Sequence, residues 1–327
     1  MRGGGVSDKT HIEWTDATWN PVTGCTKVSA GCKHCYAERD WARLSANPKT
    51  RYYDRSFTDV RCHTEVLDLP MRWKKPRRIF VNSMSDLFHD AVPDDFIADV
   101  FRTMAWSHQH SFQVLTKRPE RMLRLLTNDE FQDSVTDNAH EFADWPWPLP
   151  NVWIGVSVED QATADERIPL LLQTPAAVRW ISAEPLLEDV TIFSLDGPID
   201  VPNGVQSPIH WVVAGGESGP KARPMHPAWA RSLRDQCGAV GVPFLFKQWG
   251  EYLSAELDEC PCGPPAAHWM WADGTPWTKF DGLRGVLPLF RRVGKKVAGR
   301  LLDGVEHNAA PPAIRLPPPS TGRTPES

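Results

Sequence analysis

The chain has 327 residues, 41% of them hydrophobic and 24% charged, the balance of a globular protein large enough to bury a full core. A net charge of −5 excludes a protein that holds nucleic acid by bulk electrostatics and leaves only a local basic patch to look for. Seven cysteines, no apolar signal-peptide core behind Met1-Arg2-Gly3-Gly4-Gly5 and no apolar run of membrane-spanning length point to a reducing cytoplasm. There, clustered thiols are metal ligands or catalytic groups.

Residues 1–10 read as a flexible arm. Ile12-Glu13-Trp14 starts a strand-like stretch, and Asp16 to Thr23 is a turn-rich lead into the loop Gly24 to Glu38. Three thiols of that loop, Cys25, Cys32 and Cys35, lie within eleven residues. Soft thiolates so closely spaced converge on zinc or on an iron–sulfur cluster. A structural zinc site needs a fourth ligand, for which His34, His11 and His63 are candidates; three thiols alone suit a four-iron cluster with one iron left open. The loop by itself leaves both readings standing. Tyr36 to Leu44 is rich in helix formers, which places the cysteines between the first strand and the first helix.

Downstream, short apolar runs alternate with helical patterns. Arg78-Ile79-Phe80-Val81-Asn82 ends in Ser83-Met84-Ser85-Asp86, and a helix follows with Pro93 at its start and Phe96, Ile97, Val100, Phe101 and Met104 at helical spacing. Phe112 to Leu115 ends in Thr116-Lys117-Arg118, and Pro119 opens another helix. Val152 to Val156 ends in Ser157-Val158-Glu159, Val178 to Ile181 in Ser182-Ala183-Glu184, and His210 to Ala214 in Gly215-Gly216-Glu217-Ser218. Val242 to Phe246 ends in Lys247-Gln248-Trp249. Such runs are the mark of strands buried on both faces of a parallel sheet, so an α/β fold is expected, a partial (β/α) barrel of about six or seven parallel strands. Polar endings on successive strands point to a functional rim at their C-terminal ends.

The alternation has gaps. Residues 130–150 read as an irregular approach to the next strand, and Pro185 to Pro208 carries no full helix. An insertion is expected at about 252–280; its Cys260, Cys262 and His268 read as incidental surface groups before they read as a zinc site. Val297 to Asp303 is expected to form a short helix capped at Gly304. Residues 11–304 make up a single barrel-like domain, and 305–327 a disordered Pro-rich tail.

A cysteine triad on the first βα loop of a parallel barrel resembles the arrangement of radical S-adenosylmethionine (SAM) enzymes. More closely, four blocks resemble the phage Gp37/Gp68-type proteins, also called the DUF5131 family: Trp19 to Cys25, Cys32 to Glu38, Phe80 to Phe88, and Gly294-Lys295-Lys296 with Gly299 to Gly304. The resemblance spans about residues 11–304. It implies a 4Fe-4S cluster held by Cys25, Cys32 and Cys35, SAM on the open iron, a protein reductant, and a radical enzyme with no settled substrate. The chain departs from the radical SAM pattern in three places. Six residues separate the first two cysteines where three are usual, His34 stands at the aromatic position before the last cysteine, and Asn82 to Asp86 replaces the Gly-Gly-Glu after the second strand.

The groups of SAM call for a carboxylate, hydroxyls and a cation, for which Ser83, Asp86, Lys117, Ser157, Glu159 and Glu184 are the rim candidates, Glu184 foremost. For the substrate, Arg72-Trp73-Lys74-Lys75-Pro76-Arg77-Arg78 combines five cations with one ring, as does the pair Lys247 and Trp249 on a smaller scale. Nucleic acid or a nucleotide is the partner this suggests, set against a solvated helix end. Two other functions remain open: a nonredox zinc protein that binds a partner through its 15 tryptophans, and a cluster-bearing phage accessory protein without turnover.

Overall fold

The apolar runs pair in the order in which the chain makes them. In the computed structural model, the described residues are 6–7, 10, 12–136, 146–193, 209–254, 269–270 and 290–312. Among them seven parallel strands form one sheet, in the order β1 (Ala17–Trp19), β2 (Arg78–Val81), β3 (Ser111–Thr116), β4 (Val152–Ser157), β5 (Val178–Ala183), β6 (Trp211–Gly215) and β7 (Phe244–Gln248). Sequential parallel pairing returns every crossover over the same face, and the natural twist then curls the sheet into a partial (β/α) barrel. The helices are α1 (Tyr36–Ser45), α2 (Asp94–Trp106), α3 (Pro119–Leu126), α4 (Asp129–Thr136), α5 (Gln161–Gln173), α6 (Pro227–Val240) and the short α7 (Lys295–Ala298). None is long and apolar enough to cross a membrane.

Alternation along the strands divides the core in two. Ile154, Ile181, Val212 and Phe246 face outward and pack with helix residues such as Ile97, Val100, Leu171 and Leu233. Trp153, Trp180, Trp211, Val213 and Leu245 face inward and meet Trp14 and Phe80. These rings plug the barrel near the N-terminal ends of its strands: Trp14 lies 5.3 Å from Trp180 and 6.0 Å from Trp211, and Trp153 lies 5.8 Å from Trp211, mostly edge to face. Gly155 makes the plug possible, since a Cβ there would lie 2.5 Å from the Trp180 ring nitrogen. Toward the C-terminal ends the inner face turns polar, with Ser157, Ser182, Glu184 and Lys247 following the rings along their strands.

Several expectations are corrected. Ile12-Glu13-Trp14 is not a strand; β1 lies at Ala17–Trp19, inside the stretch expected to be turns, because Asp16 pairs with Arg78 of β2 through its backbone and its Oδ2 (2.7 Å) and starts the ladder there. At three residues β1 is too short to show alternation. Residues 129–136 are helical, capped by Asn128 Oδ1 accepting from Phe131 N at 2.8 Å. Only Phe131 and Val135 of that helix are buried, too few for a periodic signal. The helix expected at 297–304 is instead Lys295–Ala298, ended by Gly299 at φ +70°. Residues 307–309 also run against the sheet: Phe246 N donates to His307 O at 3.0 Å, and Trp211 Nε1 donates to Ala309 O at 2.8 Å. Residues 307–309 of the stretch expected to be a tail are therefore part of the barrel. Residues 313–327, most of the arm and most of the 252–280 insertion, with Cys260, Cys262 and His268, lie outside the described residues.

Candidate functional site

A cavity of about 230 Å³ opens at the C-terminal ends of the strands, where the inner face is polar. Cys25, Cys32 and Cys35 line it from the β1 side, all free thiols and all half-buried. The loop is aimed by its backbone. Gly24, at φ +91°, sits where a Cβ would lie 2.5 Å from Asp59 O, and next to it Cys25 N donates to Phe57 O at 2.9 Å. Behind this corner Arg55 Nη1 donates to Thr23 Oγ1 at 3.0 Å and Arg55 Nε pairs with Asp59 Oδ2 at 3.0 Å.

The six residues between Cys25 and Cys32 form a strap that reaches the opposite strand ends. Ser29 Oγ donates to Glu159 Oε1 at 3.1 Å, and Arg223 Nη2 donates to Ala30 O at 3.1 Å. Arg223 is held in turn by both oxygens of Glu217, beyond β6. From the α1 side Arg39 Nη1 donates to Ser218 O at 3.2 Å.

Of the rim candidates, Ser83, Asp86, Lys117, Ser157 and Glu184 all line the cavity. Glu159 stands behind it, fully buried, with Oε1 3.3 Å from Lys117 Nζ and Oε2 3.1 Å from Arg167 Nη1. A carboxylate so surrounded anchors the strap and is not exposed to a ligand. Asp86 is equally occupied: Oδ1 accepts from Thr116 Oγ1 (2.7 Å) and Phe88 N (3.0 Å), Oδ2 from Lys117 N (3.0 Å) and Arg118 Nη1 (3.2 Å). Glu184 keeps its place in the cavity, 3.0 Å from Lys247 Nζ, and Gly215 leaves room for it, since a Cβ there would lie 2.8 Å from Glu184 Oε1.

Residue-type reasoning passed over Arg118 and Tyr36. Arg118 reaches the first cysteine, and the signal for it was a Thr-Lys-Arg strand end beside the Asp86 of the neighbouring strand. Tyr36 lines the cavity and donates its hydroxyl to Ser83 O at 2.5 Å. Burial pushes the Cys25 thiol up to about 11; Asp86 adds to that and Arg118 opposes it.

The basic stretch lies elsewhere. Residues 72–78 lead into the N-terminal end of β2, the end of the sheet away from the cavity, and the Arg77 guanidinium already covers the Trp73 ring at 4.7 Å. Trp249 is buried, its Nε1 donating to Leu301 O at 2.9 Å, while Lys247 alone reaches the cavity. The tryptophans of the inner cluster are core groups, not a partner surface. Nor is His63 a free ligand: its two ring nitrogens are taken by Thr23 Oγ1 (2.8 Å) and Glu65 Oε1 (3.0 Å). His34 lines the cavity, and His11 lies outside the described residues.

Among the described residues no three Cys, His, Asp or Glu side chains converge on a point that would hold a single metal ion. Around a tetrahedral zinc ion sulfurs stand about 3.8 Å apart, from a Zn–S bond of about 2.3 Å. On a four-iron cluster each thiolate binds its own iron, so the sulfurs surround the group instead of meeting. Cys25, Cys32 and Cys35 are free thiols lining one cavity, a donor set of the kind a four-iron cluster takes.

The fold and site define a parallel partial (β/α) barrel with three thiols on its first βα loop, facing a polar cavity at the C-terminal rim. The chain belongs to the family described as protein of unknown function, DUF5131, whose model matches residues 9–311. No curated protein matches it. Among solved structures it is similar to a cysteine-to-serine mutant of spore photoproduct lyase, with 10% identity and a TM-score of 0.38 over 90% of this chain and 73% of that one. A second mutant of that lyase, with bound AdoMet and dinucleoside spore photoproduct, is similar at 10% identity and a TM-score of 0.37, over 85% of this chain and 69% of the other. Overlaps this low add nothing to the strand order already described.

Proposed function

We propose that this protein is an iron–sulfur, SAM-dependent enzyme of the radical type. The observation that carries the reading is that three free thiols of the β1 loop share one cavity with the polar ends of β2 to β7. Cys25, Cys32 and Cys35 would hold the cluster, which once bound supplies one electron for the reductive cleavage of SAM, the electron coming from a protein reductant. The rest falls to the chain. Glu184 offers a carboxylate for an ammonium group, Lys117 and Lys247 offer cations for a carboxylate, and Ser83, Ser157 and Ser182 offer hydroxyls. Asp86 and Glu159 hold the cysteine loop in place. The tryptophan plug closes the barrel below the cavity and keeps water out on that side. A nucleic acid held along residues 72–78 would lie at the far end of the sheet, so the reading is confined to ligands that enter at the rim.

Anaerobic purification followed by incubation with SAM and dithionite tests the proposal. A brown protein with iron and acid-labile sulfide that releases 5′-deoxyadenosine is expected. Iron without 5′-deoxyadenosine would favour a cluster-bearing accessory protein, and a colourless protein carrying one zinc would overturn the reading.

A further inference from the structure

Arg118 is the buried cation of the cysteine wall, and many contacts hold it in place. Its Nη2 donates to Thr26 O at 3.1 Å and to Thr26 Oγ1 at 3.0 Å, and its Nη1 donates to Asp86 Oδ2 at 3.2 Å. That same Nη1 points at Cys25 Sγ, 3.7 Å away. The backbone is fixed as well, Arg118 N donating to Thr116 Oγ1 at 2.9 Å just before Pro119 opens α3. With its side chain only 10% exposed, the guanidinium is little screened by water.

Resting on the cluster reading above, we propose that Arg118 is a positioning residue for the Cys25 ligand: it fixes the sulfur at the cavity wall and draws charge from it. Donors and positive charge at a cluster sulfur favour the reduced, more negative form, which raises the reduction potential. Asp86 works against Arg118, since its Oδ2 accepts from the same Nη1 that reaches the sulfur, but its charge is spread over four donors. Removing the guanidinium leaves Asp86 unopposed, so the sign of the effect is set: potential falls without Arg118 and rises without the Asp86 charge. A merely structural tie would act through Thr26 and would not distinguish the two.

The test compares wild type, Arg118→Met, Arg118→Lys and Asp86→Asn, each reconstituted anaerobically. Iron and sulfide content is measured first, then the midpoint potential by redox titration followed by electron paramagnetic resonance. Arg118→Met is expected to keep its iron and sulfide and to shift its midpoint to more negative values, Arg118→Lys to stay nearer wild type, and Asp86→Asn to shift the other way. Full iron with an unchanged midpoint in Arg118→Met overturns the inference. So does loss of iron in both Arg118 variants, which would leave a structural tie alone. A wild type that takes up no iron or sulfide overturns the cluster reading itself, a separate and recognisable result.

Discussion

Gly31 rests directly on the side chain of Glu159: a Cβ at residue 31 would lie 2.4 Å from Glu159 Cγ and 2.5 Å from its Oε1. Glu159 cannot retreat, because Arg167 and Lys117 hold its two oxygens in a fully buried place. Gly31→Ala must therefore lift the strap off the strand ends, at about 1–3 kcal/mol by the usual cost of overpacking. A lower midpoint of urea unfolding and weaker iron retention on gel filtration are expected. Wild-type values for both would mean that the strap does not bear on Glu159.

The three thiols are expected to act as one unit, since each would bind a separate iron. Serine at Cys25, Cys32 or Cys35 should bleach the visible absorbance, whereas Cys62→Ser and the paired Cys260→Ser, Cys262→Ser protein should keep it. A Cys32→Ser protein with full iron content would dissolve the triad.

Glu184 lines the cavity, its Oε1 3.0 Å from Lys247 Nζ and its Oε2 accepting from Ser182 Oγ at 3.4 Å. Glu184→Gln keeps the shape and removes the charge, so SAM affinity measured by equilibrium dialysis should fall about ten- to hundredfold, the worth of one charge-assisted hydrogen bond. Iron content should not change. Equal affinity in the two proteins would take Glu184 out of the SAM site.

Acid should loosen the support behind the loop. Burial, with Arg51 nearby, holds His63 down at about 4 against an ordinary 6.5. The folded state thus binds the proton less readily than the unfolded one, and stability is full above about 6.5 and lost as the pH falls toward 4. The loss is of order 3 kcal/mol. Urea unfolding at several pH values across that window should show a shallower fall for His63→Gln than for wild type. Parallel falls would mean that His63 is not the group responsible.

How far the fold could be read from the chain differs by element. The runs at Ile79, Val114, Ile154, Ile181 and Val212 announce themselves because a strand buried on both faces must be apolar throughout, and their polar endings mark the rim. The cysteine loop is equally plain, three thiols having few other uses. What stayed hidden were roles set by distant partners. Glu159 and Glu184 look alike at two strand ends, yet Arg167 and Lys117 bury the first and the missing side chain of Gly215 frees the second. The tryptophans of the plug read as a binding surface until the inward alternation of three strands brings Trp153, Trp180 and Trp211 together. Arg118 gave no periodic signal at all, its meaning resting on contacts to Asp86 and Cys25, 32 and 93 residues away.

The open sheet has two outer margins, and the chain hems both with its own flanking segments. Val6–Ser7 lies along β1, and Asn308 pairs with Leu245 of β7. Residues 307–309 leave the ribosome after every strand they complete, so throughout synthesis of the barrel the β7 margin carries bare amides and carbonyls. That is the interval in which another chain could add a strand there. Shortening the protein to residue 304 would make the interval permanent and strip the Trp211 indole of its acceptor, Ala309 O. The price of such a cut would appear first as aggregation during expression, before any change at the distant cysteine wall.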